Sequence, residues 1–358
     1  MKKNKFAWLK LIAVILPLLG FFIFVNMFFD PANIFHNVSR PIADSLLAGN
    51  STYITSGNMD ERRVKQYMIE DMPDKVDCLV MGSSVIFGIR KEHVGTESFY
   101  NLGISGADFY DLMAQFALME LNEKKAERII LSLDPYFFSD TLNASFTRNI
   151  PLKPYAEYLI SLMNGETPQE PKRDSKAETK QQFIQALSVT YFQASVDYVV
   201  SNSSLNISRW GVANDGYEGA YYLPDGSMVY PASLYDSPVE NVKNDAATYP
   251  LDYHFSAYEH MSPSKTGTFE KLISYLQAQG TEVVLYLSPM SPSLWERCNE
   301  DTHFLIWEIE DYAQHLNSEL GLGVIGSFNP HNNGFSDEAF YDARHLRHDC
   351  LDKFFHQK

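Results

Sequence analysis

The sequence predicts an α/β fold, a three-layer α/β/α sandwich around a mostly parallel five-stranded sheet. Short apolar runs of strand length recur along the chain, helical patterns separate them, and several runs end directly at Gly, Ser or Asp-Pro. Strands that alternate with helices pair in parallel and are covered on both faces, so this order favours three layers. The composition agrees, because 45% hydrophobic and 14% aromatic residues are typical of a packed globular protein.

The individual elements follow from local patterns. The predicted strands are 76–82, 98–102, 128–133, 283–287 and 324–326. The predicted helices are 107–121, 183–200, 269–280, 304–320 and a last one through Phe355. Apolar residues at Leu112, Phe116 and Met119 share one face of the first of these helices, and Gly280 marks the end of the third.

The chain is predicted to consist of an amino-terminal anchor and one interrupted domain. Residues 1–10 form a cytoplasmic stub, 11–29 a transmembrane helix and 30–74 a connecting segment. The α/β domain spans 75–358, and an insertion at 136–260 interrupts it.

The insertion does not follow the strand and helix alternation of the rest of the domain. Its polar stretch at 164–182 is typical of a surface loop, the pattern becomes helical at 183–200, and Pro-Asp-Gly-Ser at 224–227 signals a hairpin. We expect this insertion to cap a site or to hold a partner.

The amino terminus has the pattern of a membrane anchor. Four lysines, the last at Lys10, precede the uncharged stretch 11–29, which is long enough to span a bilayer core. A buried core helix and a cleaved signal peptide are the alternatives; the lysine flank disfavours the first, and 26–30 offers no small-x-small cleavage site for the second. The lysines predict a single-pass protein with a cytoplasmic amino terminus and an extracytoplasmic domain.

The charge and the motifs exclude several function classes. The net charge is −16, so no basic surface is expected to bind nucleic acid. No cofactor is predicted, because a P-loop is absent and the Gly103–Gly106 segment lacks the third glycine of a dinucleotide-binding motif. Asp342, His345, His348 and Asp349 are suitable metal ligands by type, but no zinc-site spacing supports a metal.

Ser84 is the candidate nucleophile. It follows the first strand in Gly-Ser-Ser, where a hydroxyl is exposed at the carboxyl end of a parallel strand. Asp342 and His345 are three residues apart, so on a helical turn they share a side and form a base with its orienting carboxylate. The alternatives are an ordinary turn at Ser84 and a surface ion pair near the carboxyl terminus.

Three blocks together resemble the SGNH (GDSL-like) hydrolase superfamily. Gly82-Ser83-Ser84 is similar to the first block, Asn101 to Ala107 to the second, and Asp342-Ala343-Arg344-His345 to the last. The resemblance covers 76–135 and 265–350. It implies a triad of Ser84, His345 and Asp342, with the backbone N–H groups of Ser84 and Gly106 as the oxyanion hole.

The third block departs from this family pattern. Where the superfamily has Gly-x-Asn-Asp, with the Asn donating to the oxyanion, this chain has Leu131-Ser132-Leu133-Asp134-Pro135. A carboxylate at Asp134 repels an oxyanion unless it is protonated or turned away, so it does not inherit the role of the Asn. Loss of one donor costs about 10²–10³ in rate.

The anchor and the altered third block resemble the membrane-anchored branch that includes the D-alanyl transfer protein of teichoic-acid synthesis and the alginate O-acetylation proteins. This resemblance implies an acyltransferase or esterase that transfers or removes an acetyl or D-alanyl group on a cell-envelope polysaccharide or teichoic acid. It also implies a multi-spanning membrane O-acyltransferase as partner. The alternative is a non-catalytic scaffold that binds polymer or this partner through the tyrosine-rich insertion, with Tyr217, Tyr221, Tyr222, Tyr230 and Tyr235.

Overall fold

The computed structural model describes residues 2–55, 59–142, 150–173, 175–202 and 209–355. Its strands are β1 (Thr52–Ile54), β2 (Lys75–Met81), β3 (Phe99–Asn101), β4 (Lys125–Ser132), β5 (Trp210–Val212), β6 (Tyr221–Tyr222), β7 (Met228–Val229), β8 (Glu282–Leu287) and β9 (Gly323–Gly326).

The first eight helices are α1 (Lys2–Phe29), α2 (Ser39–Leu47), α3 (Glu61–Asp71), α4 (Lys91–Val94), α5 (Phe109–Leu121), α6 (Lys153–Met163), α7 (Ser175–Ala186) and α8 (Val189–Asn202). The remaining helices are α9 (Ala232–Tyr235), α10 (Val239–Thr248), α11 (Leu251–Phe255), α12 (Pro263–Ala278), α13 (Pro292–Trp295), α14 (Phe304–Leu320), α15 (Pro330–Asn333) and α16 (Asp352–Phe355).

The larger sheet has five strands in the order β3-β2-β4-β8-β9, and every neighbouring pair is parallel. This confirms the prediction of an α/β fold with a five-stranded parallel sheet. The chain runs from β2 to the edge strand β3 and then back across β2 to β4. Open sheets form a crevice at the carboxyl ends of the strands where the order reverses in this way, here between β2 and β4.

Both faces of this sheet are buried because successive strand side chains point to opposite sides. Leu79, Ile129 and Leu285 belong to the larger apolar cluster, to which α3, α5, α12 and α14 also contribute. Val80 and Ile130 belong to a second cluster on the other face, which shorter elements such as α16 complete.

A second, antiparallel sheet joins the insertion to the segment before the domain. Its order is β5-β1-β6-β7, so β1, which lies in the segment 30–74, pairs with two strands of the insertion 136–260. The hairpin predicted at 224–227 is present as β6 and β7. Ile42 of α2 and Met68 of α3 are buried in the main core, so the segment predicted as a connection also contributes to that core.

The insertion differs from the prediction in its helices. The single helix predicted at 183–200 is two helices, α7 and α8, because Ser188 interrupts it and caps α8 by accepting the N–H of Tyr191 at 3.1 Å. The prediction of a loop over 164–182 is partly wrong, because α7 begins at Ser175. Lys, Glu and Gln are good helix formers, so polarity alone does not distinguish a loop from an exposed helix.

The amino-terminal helix α1 contains the uncharged stretch Ile12–Phe29. By its length and composition this stretch is sufficient to cross a membrane, and most of its side chains are exposed. The contacts of α1 with the rest of the chain are chiefly with α7 and α8 of the insertion.

Candidate active site

The loop after β2 places Ser84 at the carboxyl edge of the sheet. The chain turns sharply at Gly82, whose φ of +146° favours glycine, and enters the 3₁₀ turn Ser84–Ile86. A Cβ atom at Gly82 would lie 2.0 Å from the Oγ of Ser132 at the end of β4. The absence of a side chain at Gly82 therefore lets the ends of β2 and β4 approach each other. Ser84 follows Gly82 by two residues and is half-buried.

Asn101 holds the Ser84 turn against the end of β3. Its buried Nδ2 donates to the carbonyls of Ile86 at 2.7 Å and Ile89 at 3.0 Å, while its Oδ1 accepts the N–H of Gly103 at 3.0 Å. In the sequence Asn101 stands out only as part of the second matched block, with no task of its own. A polar residue at the end of a buried strand was the available signal, since such a group needs partners.

The structure brings Ser84, His345 and Asp342 into one chain of hydrogen bonds. Ser84 Oγ lies 2.8 Å from His345 Nε2, and His345 Nδ1 lies 2.7 Å from Asp342 Oδ2. Ser84 and His345 are 261 positions apart in sequence. The contact is therefore made by the fold, with Ser84 after β2 and the other two in the segment after β9.

Residues 342–344 form a bend and His345 is in no regular element, so the expectation that this segment forms a helical turn is wrong. The Asp342 Oδ1 accepts the backbone N–H groups of Arg344 and His345, each at 2.8 Å. Aspartate side chains commonly bond the backbone two residues ahead, which stabilises a turn in place of a helix. This turn still directs the His345 ring back to the Asp342 carboxylate.

The pKa shifts of His345 and Asp342 are those of an imidazole base oriented by a carboxylate. Burial opposes the charged form of His345, but the Asp342 carboxylate and its hydrogen bond outweigh burial and raise the pKa of His345. Burial also opposes ionisation of Asp342, yet His345 and the two N–H groups lower the pKa of Asp342 to about 2. Asp342 is thus an anion near neutral pH, a charge that stabilises the protonated form of the His345 ring.

Asp134, in the altered third block, is paired with Arg344. Its side chain is buried, and its Oδ1 accepts from Arg344 Nη2 at 2.8 Å. The guanidinium also lies over the ring of Phe255, 5.2 Å from its centre. Arg344 therefore neutralises the carboxylate that would otherwise stand unpaired beside the Ser84 loop.

The loop that carries Gly106 is held by two residues of α3. Arg62 donates to the Gly106 carbonyl at 3.2 Å and pairs with Asp111 at 2.6 Å. Glu61 accepts the N–H of Ser105. Gly106 has a φ of +57°, in the left-handed region, and its role as an oxyanion donor stays a prediction.

The insertion 136–260 contacts the segment that carries Asp342 and His345. The ring of Tyr230 lies 6.0 Å from the ring of His345, and Asp245 Oδ2 accepts the N–H of Ala343 at 2.9 Å. The insertion therefore forms part of the wall beside the hydrogen-bonded triad.

The His348 ring lies between two tyrosine hydroxyls. Its Nε2 lies 3.1 Å from the Tyr235 hydroxyl and its Nδ1 lies 3.3 Å from the Tyr341 hydroxyl. Among the residues that the structure describes, no group of three or more His, Cys, Asp or Glu side chains is arranged to hold a metal ion.

Neither a scan against protein-family models nor a search of curated proteins finds a match to this chain.

Proposed function

We propose that the protein is a membrane-anchored, SGNH-like serine acyltransferase or esterase that carries an acyl group on Ser84. The observation that supports this most strongly is the continuous hydrogen-bond chain Ser84 Oγ–His345 Nε2 and His345 Nδ1–Asp342 Oδ2. The parallel sheet, with Ser84 at the carboxyl end of β2, agrees with a three-layer SGNH-like domain.

The first half-reaction forms an ester on Ser84. The Oγ attacks the carbonyl carbon of the acyl donor while His345 Nε2 accepts the hydroxyl proton. When the tetrahedral intermediate collapses, the bond to the leaving group breaks and His345 returns the proton to that group. Asp342 keeps its negative charge throughout and stabilises the imidazolium between these steps.

The second half-reaction releases the acyl group. A polymer hydroxyl, or water, attacks the ester carbonyl as His345 accepts its proton, and the Ser84 oxygen leaves and takes that proton back. Attack by a polymer hydroxyl is transfer, and attack by water is hydrolysis. The contacts of Tyr230 and Asp245 with the triad segment support a covered site, and exclusion of water favours transfer.

The oxyanion is proposed to bind the backbone N–H groups of Ser84 and Gly106. Asp134 is not a donor in this scheme, because its Oδ1 accepts from the Arg344 guanidinium. With one side-chain donor fewer than the superfamily pattern, we expect slow and well-positioned acyl transfer in place of fast general ester hydrolysis, since one donor is worth about 10²–10³ in rate.

The proposed setting is the outer face of the cell membrane. The apolar stretch Ile12–Phe29 supports a single-pass anchor, and the lysines before it support a cytoplasmic amino terminus. The proposed acceptor is a cell-envelope polysaccharide or teichoic acid, and the proposed donor partner is a multi-spanning membrane O-acyltransferase.

A non-catalytic scaffold is the second candidate. The replacement of the third-block donor by a buried ion pair favours it, because a domain that only binds polymer has no need of that donor. The hydrogen-bonded triad favours the enzyme, since a scaffold does not need a serine, histidine and aspartate in this geometry.

A serine-directed fluorophosphonate tests the proposal. We expect the wild-type protein to form a covalent adduct at Ser84, the Ser84→Ala variant to form none, and the Ser83→Ala variant, which changes the neighbouring hydroxyl, to remain labelled. Labelling that persists in Ser84→Ala, or no labelling of the wild type, contradicts the enzyme. Full polymer acylation in a Ser84→Ala strain, with loss of acylation on deletion of the gene, supports the scaffold.

A further inference from the structure

The turn between α7 and α8 exposes apolar side chains that the candidate active site does not use. Phe183 is 67% exposed, Ile184 53%, Leu187 41% and Val189 64%. The surrounding run 181–196 contains no charged residue. A concentrated apolar surface of this kind on a soluble protein marks a place that another surface covers.

The same turn packs against the outer part of α1. Phe22 of α1 and Phe192 of α8 are stacked, with their ring centres 4.7 Å apart. Phe22 precedes Phe29, the end of the apolar stretch, by two helical turns, a rise of about 10 Å. If α1 crosses the membrane, Phe192 therefore lies beside it below the outer end of the apolar stretch.

Asn26 of α1 adds a donor at the carbonyls that end α7, of which that of Gln185 also accepts the N–H of Ser188. Its buried Nδ2 lies within hydrogen-bond distance of the carbonyls of Gln185 at 3.1 Å, Ala186 at 3.0 Å and Ser188 at 3.2 Å. The last carbonyls of a helix have no partner within the helix, and hydrocarbon offers no water to bond them. An amide from the neighbouring membrane helix is a suitable substitute for that water.

Two buried polar groups hold parts of the insertion against the end of α1. Asp30 accepts from the Tyr191 hydroxyl of α8 at 2.5 Å and from the backbone N–H groups of residues 34–36. Arg209, just before β5, donates to the carbonyls of Phe28 and Phe29 at the end of α1. The apolar turn is therefore held next to the membrane helix.

We propose that the apolar turn at 183–189 inserts into the outer leaflet of the bilayer that α1 crosses, so that the protein has a second, shallow membrane contact. The occupant is lipid because the surface is continuous with the exposed apolar surface of α1, includes no charge and has its helix-end carbonyls bonded by Asn26. This inference rests on the transmembrane placement of α1 in the proposed function.

Lipid quenching of single labelled cysteines tests the insertion in the full-length protein. The three cysteines are free thiols, and Cys78 is buried, so Cys298→Ala and Cys350→Ala give the background for labelling. A nitrobenzoxadiazole fluorophore is attached in separate variants at Val189→Cys and Ile184→Cys in the turn. The protein is reconstituted in phosphatidylglycerol and phosphatidylcholine vesicles with and without doxyl-labelled lipid.

Two further positions make the outcomes distinguishable. Ile15→Cys reports on α1, and Tyr258→Cys is a control at a highly exposed side chain whose ring lies near Phe304 of α14. We expect quenching at 15, 184 and 189 to exceed quenching at 258 several-fold. If the fluorophore at position 15 is quenched but those at 184 and 189 are quenched no more than the one at 258, the inserted turn is overturned. The anchor then remains in place, and the apolar surface is assigned to a protein partner. No quenching at 15 overturns the anchor and the inserted turn together.

Discussion

The Nη2 of Arg344 donates to the Oδ1 of Asp134 over 2.8 Å, and this contact joins the triad segment to the end of β4. Both side chains are buried. The remaining donors of the guanidinium, Nε and Nη1, have no hydrogen-bond partner among the described residues. The pair thus neutralises the carboxylate and fixes the residue immediately before His345.

The first prediction concerns the stability of this ion pair. Asp134→Leu leaves a buried guanidinium without its counter-charge, so we expect it to lower the free energy of unfolding by about 3–5 kcal/mol. Arg344→Met is expected to have a similar effect, while the double variant recovers most of the loss because no unpaired charge remains. Urea denaturation of the four proteins measures this cycle, and additive losses would contradict the pairing.

The second prediction concerns pH. His345 accepts a proton only when it is neutral, and its pKa lies above the ordinary 6.5, so fluorophosphonate labelling of Ser84 should fall as the pH drops through that raised pKa. Asp342→Asn removes the charge that raises the pKa. We therefore expect this variant to move the midpoint to lower pH and to lower the rate by about 10⁴-fold. Rates measured from pH 5 to pH 9 test this, and an unchanged midpoint in Asp342→Asn would argue against the assigned roles.

The third prediction uses two glycines with positive φ. Gly49→Ala introduces backbone strain alone, because no atom lies within 4 Å of the new Cβ, and should cost about 1–3 kcal/mol. Gly82→Ala adds the clash with Ser132 Oγ, so about 1–3 kcal/mol more is expected. Thermal or urea unfolding compares the two variants. Equal losses would mean that the approach of β2 and β4 at Gly82 is not tight.

The fourth prediction concerns Asn101 as a positioning residue for Ser84. Asn101→Asp keeps the size of the side chain but removes the two donations to Ile86 and Ile89, so we expect slower fluorophosphonate labelling of Ser84 without loss of the site itself. Asn241→Asp, at an exposed amide that donates to the Ser237 hydroxyl, is the matched control. A labelling rate equal to that of the control would show that Asn101 has a structural role alone.

Much of the sheet and of the triad follows from local sequence. β2, β4 and β8 each contain an apolar run (78–81, 129–131 and 283–287), and their predicted bounds differ from the observed ones by a few residues at most. Gly-Ser-Ser and Asp-x-x-His are short patterns that name Ser84, Asp342 and His345 directly. Such patterns are visible because each is complete within a few positions.

The remaining parts depend on contacts that leave no local signal. Asp134 and Arg344 are 210 positions apart, so the neutralising partner is not visible at either residue alone. The loop around Gly106 is held by Arg62, from a segment that the sequence indicated only as a connection. The strands of the smaller sheet have two or three residues each, too few to show a strand period.

The bonds of Asp30 and Arg209 have a mechanical consequence for the membrane-anchored enzyme that we propose. They join the end of α1 to α8 and to the chain before β5, so the domain does not swing on a flexible tether. In the membrane-anchored arrangement that we propose, Ser84 is therefore carried at one fixed height above the bilayer. The enzyme we propose reaches only acceptor hydroxyls that lie at that height. The polymer must therefore move relative to the protein to be modified along its length.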